Sequence, residues 1–231
     1  MAKRTIHDTD KPMIGISTTN HENAQAYIAA IERSGGEPRL IMPINGLSDQ
    51  NWPAGIEGLL LCGSEEPYSN ANLQRTDRHP SQRSLLEMAL KSDMPTLCIG
   101  TGMHSLNLTL GGKTTRDVIG HGTHKSNDNS DSSYHRIYIS PGSKLAAIVG
   151  SGGFVRVNSR HQQGLKEAQK SPQLMASAYS LEDGVIEALE SPKHRFVVAV
   201  QFHPERILEI PPHFERLFQS LVHLSKITKG Q

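Results

Sequence analysis

Short apolar runs alternate with longer amphipathic segments in the first half of the chain. The longer segments carry apolar residues three or four positions apart, which predicts helices over 24–33, 81–91 and 102–110. The shorter runs end at polar or glycine-containing turns, which predicts strands over 13–17, 39–43, 58–62 and 95–99. Apolar strands separated by helices are typical of sheets that are covered on both faces. The pattern therefore indicates an α/β fold with a central, mostly parallel sheet.

The second half of the chain is richer in predicted strands, and we expect them to form a smaller antiparallel portion. They fall over 135–139, 153–158, 174–180, 184–189 and 196–202 and precede an amphipathic helix over 212–225. We expect a flexible tail over 1–11 and a mobile loop over 124–134, which includes a run of polar residues. Since no linker divides the 231 residues into two cores, we expect one domain over 1–231.

Composition narrows the classes of protein and partner. With 36% hydrophobic and 20% charged residues, the chain can bury a core and is not of a disordered or fibrous class. A net charge of +1 without a basic stripe makes no nucleic-acid or membrane partner expected. The N-terminus lacks the apolar run of a signal peptide, and Cys62 and Cys98 suggest no disulfide framework, so we expect a cytoplasmic protein. The 12 histidines form no metal-binding motif, and we expect no metal or other cofactor.

Five segments together resemble one enzyme family. They are QFHPE at 201–205, VNSRHQQ at 157–163, DGVIEALE at 183–190, LGG at 110–112 and PGSKL at 141–145. The first resembles the strand-end His-x-Glu of class I glutamine amidotransferases. The others are similar to the γ-glutamyl-γ-aminobutyrate hydrolase branch, peptidase family C26. The resemblance covers about 13–221 and implies a flavodoxin-like class I glutamine amidotransferase fold.

The resemblance also implies a mechanism and a ligand. In the family, a cysteine on a turn between strand and helix attacks a γ-glutamyl amide, and the resulting thioester is hydrolysed. His203 takes the place of the base and Glu205 that of the carboxylate that orients it, because residues i and i+2 of an extended segment share a face. Backbone N–H groups of Gly63, Ser64 and Thr101 would form the oxyanion hole. The expected ligand is a small γ-glutamyl or glutamine-like compound, and a synthetase or a second copy is the expected protein partner.

The nucleophile of this mechanism is absent from the chain. The family motif Gly-x-Cys-x-Gly-x-Gln is here CIGTGMH over 98–104, so Gly100 occupies the cysteine position and the thioester route is closed as written. Cys98 lies about 6.6 Å back along an extended strand at roughly 3.3 Å per residue, whereas a nucleophile must contact its base. We expect Cys98 to be a small core residue with a raised pKa and little reactivity.

Further departures surround the same position. Glu65 adds a side chain beside the expected oxyanion hole, where its charge would oppose an oxyanion. His104 replaces a glutamine that helps to frame the substrate in the family, and RHPSQ at 78–82 lacks two acidic residues of the family pattern. Because several neighbours differ, natural divergence is favoured over an engineered glycine, although the retained His203 and Glu205 keep the engineered origin open.

The remaining candidate residues are predicted from the same resemblance. The substrate-binding candidates are His104, Asn158, Ser159, His161 and Gln163, whereas His121 and His124 are expected to face solvent.

Three functions stay open from the sequence. The protein is a γ-glutamyl hydrolase whose cysteine is missing from this sequence, or a pseudoenzyme that binds a γ-glutamyl compound or a partner protein. The third is new acid–base or metal chemistry built from Glu65, Glu66, His104 and His203.

Overall fold

The structure is a computed structural model that describes residues 11–17, 21–41, 54–62, 80–113, 115–118 and 132–229. Eleven strands are numbered in chain order: β1 (Met13–Ser17), β2 (Glu37–Ile41), β3 (Gly58–Cys62), β4 (Thr96–Ile99), β5 (Arg116–Asp117), β6 (Ser133–Ile139), β7 (Gly153–Ser159), β8 (Gln163–Gly164), β9 (Met175–Ser180), β10 (Ile186–Glu190) and β11 (Val197–Val200). Helices are α1 (His21–Arg33), α2 (Pro80–Lys91), α3 (Thr101–Thr109), α4 (Lys144–Val149) and α5 (Arg216–Lys229), with a short 3₁₀ helix at Pro212–Glu215.

Nine strands form one mixed sheet in the order β2-β1-β3-β4-β11-β10-β9-β6-β7. The first five are parallel to one another, and the last four continue the sheet in antiparallel pairs. The predicted fold class is confirmed, including the smaller antiparallel portion. Strands β5 and β8 form a separate antiparallel pair.

The central strands are buried on both faces, which explains their uninterrupted apolar sequence. All residues of β3, β4 and β11 are buried. Successive side chains of β4 enter different clusters, because side chains alternate across a strand. Leu97 and Ile99 pack in the cluster that includes residues of α1 and α5, whereas Cys98 packs in the one that includes residues of α2 and α3. Each face of the parallel half is thus covered by helices.

Some predicted boundaries differ from those of the structure. The second strand begins at Glu37 rather than at residue 39, and its predicted last residues, 42 and 43, lie outside the described residues. Helix α4 was not predicted because its six residues are too short for a helical period to emerge; Ser143 caps it by accepting a hydrogen bond from the Ala146 N–H at 3.0 Å. Residues 1–10 of the predicted tail and 124–131 of the predicted loop lie outside the described residues, and Ser133 and Tyr134 belong to β6. The single-domain organisation stays a prediction.

Candidate functional site

Gly100 forms a sharp turn between β4 and α3. Its φ is 58° and its ψ is −120°, a backbone conformation that side chains of L residues rarely adopt. Its N–H donates to the Val200 carbonyl at 2.9 Å, and its carbonyl accepts from the Met103 N–H at 3.0 Å. The turn therefore joins the end of β4 to the neighbouring β11 and to the first turn of α3. We call the group Gly100, Thr101, His203 and Glu205 the elbow site.

Gly102 is required by packing rather than by its backbone angles. A Cβ atom on this residue would lie 2.3 Å from the carbonyl oxygen of Leu61 in β3, which is closer than real Cβ atoms come. Only a glycine therefore allows the first turn of α3 to approach β3 this closely. The second glycine of the family motif thus has a structural reason that does not depend on the nucleophile.

His203 lies beside the position where a side chain of residue 100 would begin. Strands β4 and β11 are parallel with Ile99 paired to Val200, so the segments that follow both strands meet at one edge of the sheet. A Cβ atom on Gly100 would lie 3.4 Å from His203 Cε1 and 3.7 Å from Nε2. The structure thus brings the predicted base and the predicted nucleophile position together.

Glu205 orients the His203 ring. Its Oε1 lies 2.8 Å from His203 Nδ1, and both residues are buried at 8% exposure. Because an ionised carboxylate only accepts hydrogen bonds, Nδ1 carries the proton in this contact. Nε2 is then the basic nitrogen of the neutral ring and faces the turn at Gly100.

Asn158 holds the backbone of His203 from across the sheet. Its Oδ1 accepts from the His203 N–H at 2.8 Å, and its Nδ2 donates to the His203 carbonyl at 3.0 Å and to Glu209 Oε2 at 3.1 Å. Asn158 is fully buried, so its polar groups are used inside the protein. The sequence predicts a substrate-binding role for Asn158, and the structure gives it a positioning role that sequence analysis missed.

Neither cysteine takes the place of the absent nucleophile. Cys98 is fully buried, and burial raises the pKa of its thiol. The pKa of Cys62 is also raised, chiefly by burial and further by the charges of Glu205 and Cys98. Both thiols are therefore held in the neutral, unreactive form, as expected for Cys98 from the sequence.

His104 is buried next to Gln201, one turn after the start of α3. Its Nε2 lies 2.6 Å from Gln201 Oε1, and since an amide oxygen accepts, Nε2 is the donor. Burial lowers the pKa of His104 to about 4, although the Gln201 contact acts in the opposite direction. At neutral pH His104 is therefore an uncharged residue. Its predicted contact with substrate stays a prediction.

A buried cluster of Glu187, His135 and His161 lies behind the predicted substrate-binding segment. Glu187 Oε1 is 3.3 Å from His135 Nε2 and 3.5 Å from His161 Nε2. Burial opposes ionisation of Glu187, but the contacts with the two histidines outweigh it and lower its pKa to about 2. Glu187 falls within the DGVIEALE segment, so the resemblance marks it without indicating a role. The cluster fixes His161 in place beneath the site.

The other predicted binding residues are also used internally. His161 Nδ1 donates to the Gln163 carbonyl at 2.9 Å, and the side chain of Gln163 accepts from Thr115 Oγ1 at 2.9 Å. Ser159 is fully buried in β7. The substrate contacts predicted for these residues stay predictions.

Several predicted residues lie outside the described residues. They are the oxyanion-hole candidates Gly63 and Ser64, the acidic pair Glu65 and Glu66, and His121 and His124. Within the described ranges, no group of three or more His, Cys, Asp or Glu residues is arranged to hold a metal ion. In the same ranges, no helix has the length and apolar character to cross a membrane.

Comparison with known proteins places this site in a family. A Schizosaccharomyces pombe protein named a "putative glutamine amidotransferase" is 32% identical over 228 residues, which covers 93% of this chain and 87% of that protein. A γ-glutamyl-γ-aminobutyrate hydrolase of Escherichia coli O157:H7 is 30% identical over 205 residues, covering 78% of this chain and 77% of the relative.

A solved structure from Thermoplasma acidophilum, that of a "putative GMP synthase" protein, matches the fold with a TM-score of 0.70 at 13% identity. The match covers 96% of this chain and 98% of that one. The profile of the peptidase C26 family matches residues 7–205. The chain therefore has a scaffold of the glutamine amidotransferase and γ-glutamyl hydrolase type, and it belongs to the peptidase C26 family.

Proposed function

We propose that this protein binds a γ-glutamyl or glutamine-like compound at the elbow site and does not form a thioester with it. The observation that carries the proposal is the position of His203, whose ring borders the place of a side chain that Gly100 does not have. The base and its carboxylate are present, whereas both cysteines are buried in the core. The family's ligand class therefore fits the site, and the family's covalent step lacks its sulfur.

Binding is tested by calorimetric titration of the purified protein with γ-glutamyl-γ-aminobutyrate and with glutamine. Saturable binding of either compound is expected. A folded protein that binds neither compound at millimolar concentration contradicts the proposal, because the ligand class is then wrong.

The covalent half of the proposal is tested with two variants at one position. Gly100→Cys and Gly100→Ala place the same Cβ on the same unfavourable backbone, so they differ only in the thiol. After incubation with a γ-glutamyl amide, intact-mass measurement should show one added γ-glutamyl group on Gly100→Cys and none on Gly100→Ala. This result would also support the alternative of a hydrolase whose only defect is the missing cysteine. A Gly100→Cys protein that binds ligand and never acquires the group would show that the elbow site is not arranged for the family's chemistry.

A second candidate function is docking of a partner protein close to the elbow site. Ile207 and Leu208, which follow directly after the Glu205 segment, are 48% and 97% exposed. Apolar side chains so exposed next to a site are typical of a contact surface. For the case of a second copy as partner, sedimentation velocity should show a dimer that Leu208→Glu weakens; an unchanged monomer at all concentrations excludes that case.

A further inference from the structure

We propose that this protein hydrolyses the bound γ-glutamyl amide directly, with a water molecule as the nucleophile and His203 as the general base. The proposal rests on the proposed function, since it requires a γ-glutamyl compound at the elbow site. It differs from the family's mechanism because no covalent intermediate forms.

The base half of the site is complete for this reaction. The contact of Nδ1 with Glu205 at 2.8 Å fixes the His203 ring and its tautomer, which leaves Nε2 as the nitrogen that can accept a proton. Nothing in this arrangement depends on a thiol, because an imidazole that can take a proton from Cys can also take one from water. His203 is held in turn by its backbone hydrogen bonds to Asn158.

The space beside Nε2 is determined by Gly100. Among the described residues, only atoms of His203 come within 4 Å of the position that a Cβ atom would occupy. A water molecule needs room and at least two polar partners to be held at a site. His203 Nε2 is one such partner and the carbonyl of the bound amide is the other, so the water would lie between the base and the carbon that it attacks.

The start of α3 supplies stabilisation for the oxyanion. The first N–H groups of a helix have no acceptor within the helix. The N–H of Met103 is used by the Gly100 carbonyl, which leaves those of Thr101 and Gly102 at the edge of the turn. Their direction and the helix dipole favour negative charge at this position.

The step balances without another reactant. The water oxygen forms a bond to the γ-carbonyl carbon while His203 Nε2 takes one proton from the water. The C–N bond then breaks, and the nitrogen leaves with the proton that His203 returns. The products are the free γ-carboxylate and the amine, with His203 again neutral.

The experiment measures turnover of γ-glutamyl-p-nitroanilide by the unmodified chain, beside binding of γ-glutamyl-γ-aminobutyrate by calorimetry. We expect slow release of p-nitroaniline that His203→Ala lowers about 100-fold or more. His223→Ala, which alters an exposed histidine of α5, is the matched control and should leave the rate unchanged. Binding without turnover, or turnover that survives His203→Ala, overturns this inference alone. Absence of both binding and turnover overturns the proposed function as well.

Two further measurements separate water attack from a covalent route. Gly100→Ala places a methyl group 3.4–3.7 Å from the His203 ring, where the water would have to lie, and is expected to lower turnover at least about tenfold. Glu205→Gln, which alters the tautomer of His203, provides a second variant should Gly100→Ala not fold, and its rate should also fall. Rapidly quenched samples of the unmodified chain should show no mass increase during turnover. A γ-glutamyl adduct on the unmodified chain, or full activity in both variants, refutes the water mechanism.

Discussion

Replacing Asn158 should both destabilise the protein and disturb the elbow site. The Asn158 side chain makes paired hydrogen bonds with the His203 N–H and carbonyl at 2.8 and 3.0 Å, in a position with no solvent exposure. Asn158→Ala removes both partners at once and leaves two backbone groups of a buried residue without them. Each such group costs about 1–3 kcal/mol. We therefore expect a loss of about 2–5 kcal/mol from the free energy of unfolding, a large part of the roughly 5–15 kcal/mol that is typical of a protein.

A matched control is available at Asn107. This residue is also fully buried, donates to the carbonyls of Lys113 and Gln169 at 3.0 Å each and accepts from the Ser171 N–H at 2.7 Å. Its partners are remote from His203 in sequence, and none belongs to the elbow site. Asn107→Ala should therefore cost a similar free energy of unfolding without moving His203.

The assay combines urea unfolding, followed by circular dichroism, with a measurement of the site. In the Gly100→Cys background, the rate at which the thiol acquires a γ-glutamyl group should fall with Asn158→Ala and stay unchanged with Asn107→Ala. The reasoning is refuted if Asn158→Ala changes the free energy of unfolding by less than about 0.5 kcal/mol, or if both variants slow the reaction equally. The second result would mean that lost stability, not the position of His203, limits the site.

Three other predictions follow from buried residues near the site. Gly102→Ala should lower the free energy of unfolding because its Cβ would lie 2.3 Å from the Leu61 carbonyl oxygen, and an unchanged urea midpoint would show that α3 shifts freely. His104→Gln should flatten the fall in stability as the pH drops from 6.5 to about 4, because the buried histidine, whose pKa is lowered, resists a proton that the unfolded chain accepts; equal slopes for both proteins would contradict this. The pKa of Glu187 is lowered to about 2 against burial by its contacts with the buried histidines, including His135, so its contribution is present above about pH 4.5 and lost as the pH falls towards 2. The difference in unfolding free energy between the unmodified chain and Glu187→Gln should shrink over that range, and a difference independent of pH would rule out ionised Glu187.

The sequence predicts those features of the fold that depend on neighbouring residues. Strand β3 can be located because its five residues are all buried and apolar, and the burial of both sheet faces explains that pattern. The contact of His203 with Glu205 was predictable for the same reason, since two positions along an extended segment share a face. Helix α4 is marked only by its cap at Ser143, which a search for helical periods does not detect.

Interactions between distant parts of the chain could not be predicted from local pattern. Asn158 and His203 are 45 positions apart, and their pairing depends on how β7 and the end of β11 meet in the folded sheet. The contact between His135 and Glu187 likewise joins β6 to β10, which are not neighbours in the sheet order. A resemblance marks such residues as part of a motif, but only the fold shows that Asn158 grips a backbone and that Glu187 pairs with histidines.

The elbow site separates the groups that fix its geometry from those that would do its chemistry. The hydrogen bonds that position His203 are made by its backbone, so they do not depend on the imidazole itself. At Gly100 the relation is reversed, because a φ of 58° with a ψ of −120° strains any residue that carries a side chain by about 1–3 kcal/mol. A cysteine at this turn would therefore have to be held there against strain, whereas glycine occupies it without cost. The absence of the thiol thus relaxes the turn without displacing the base, and this is why the same backbone can support binding, attack by water or, in Gly100→Cys, the covalent route.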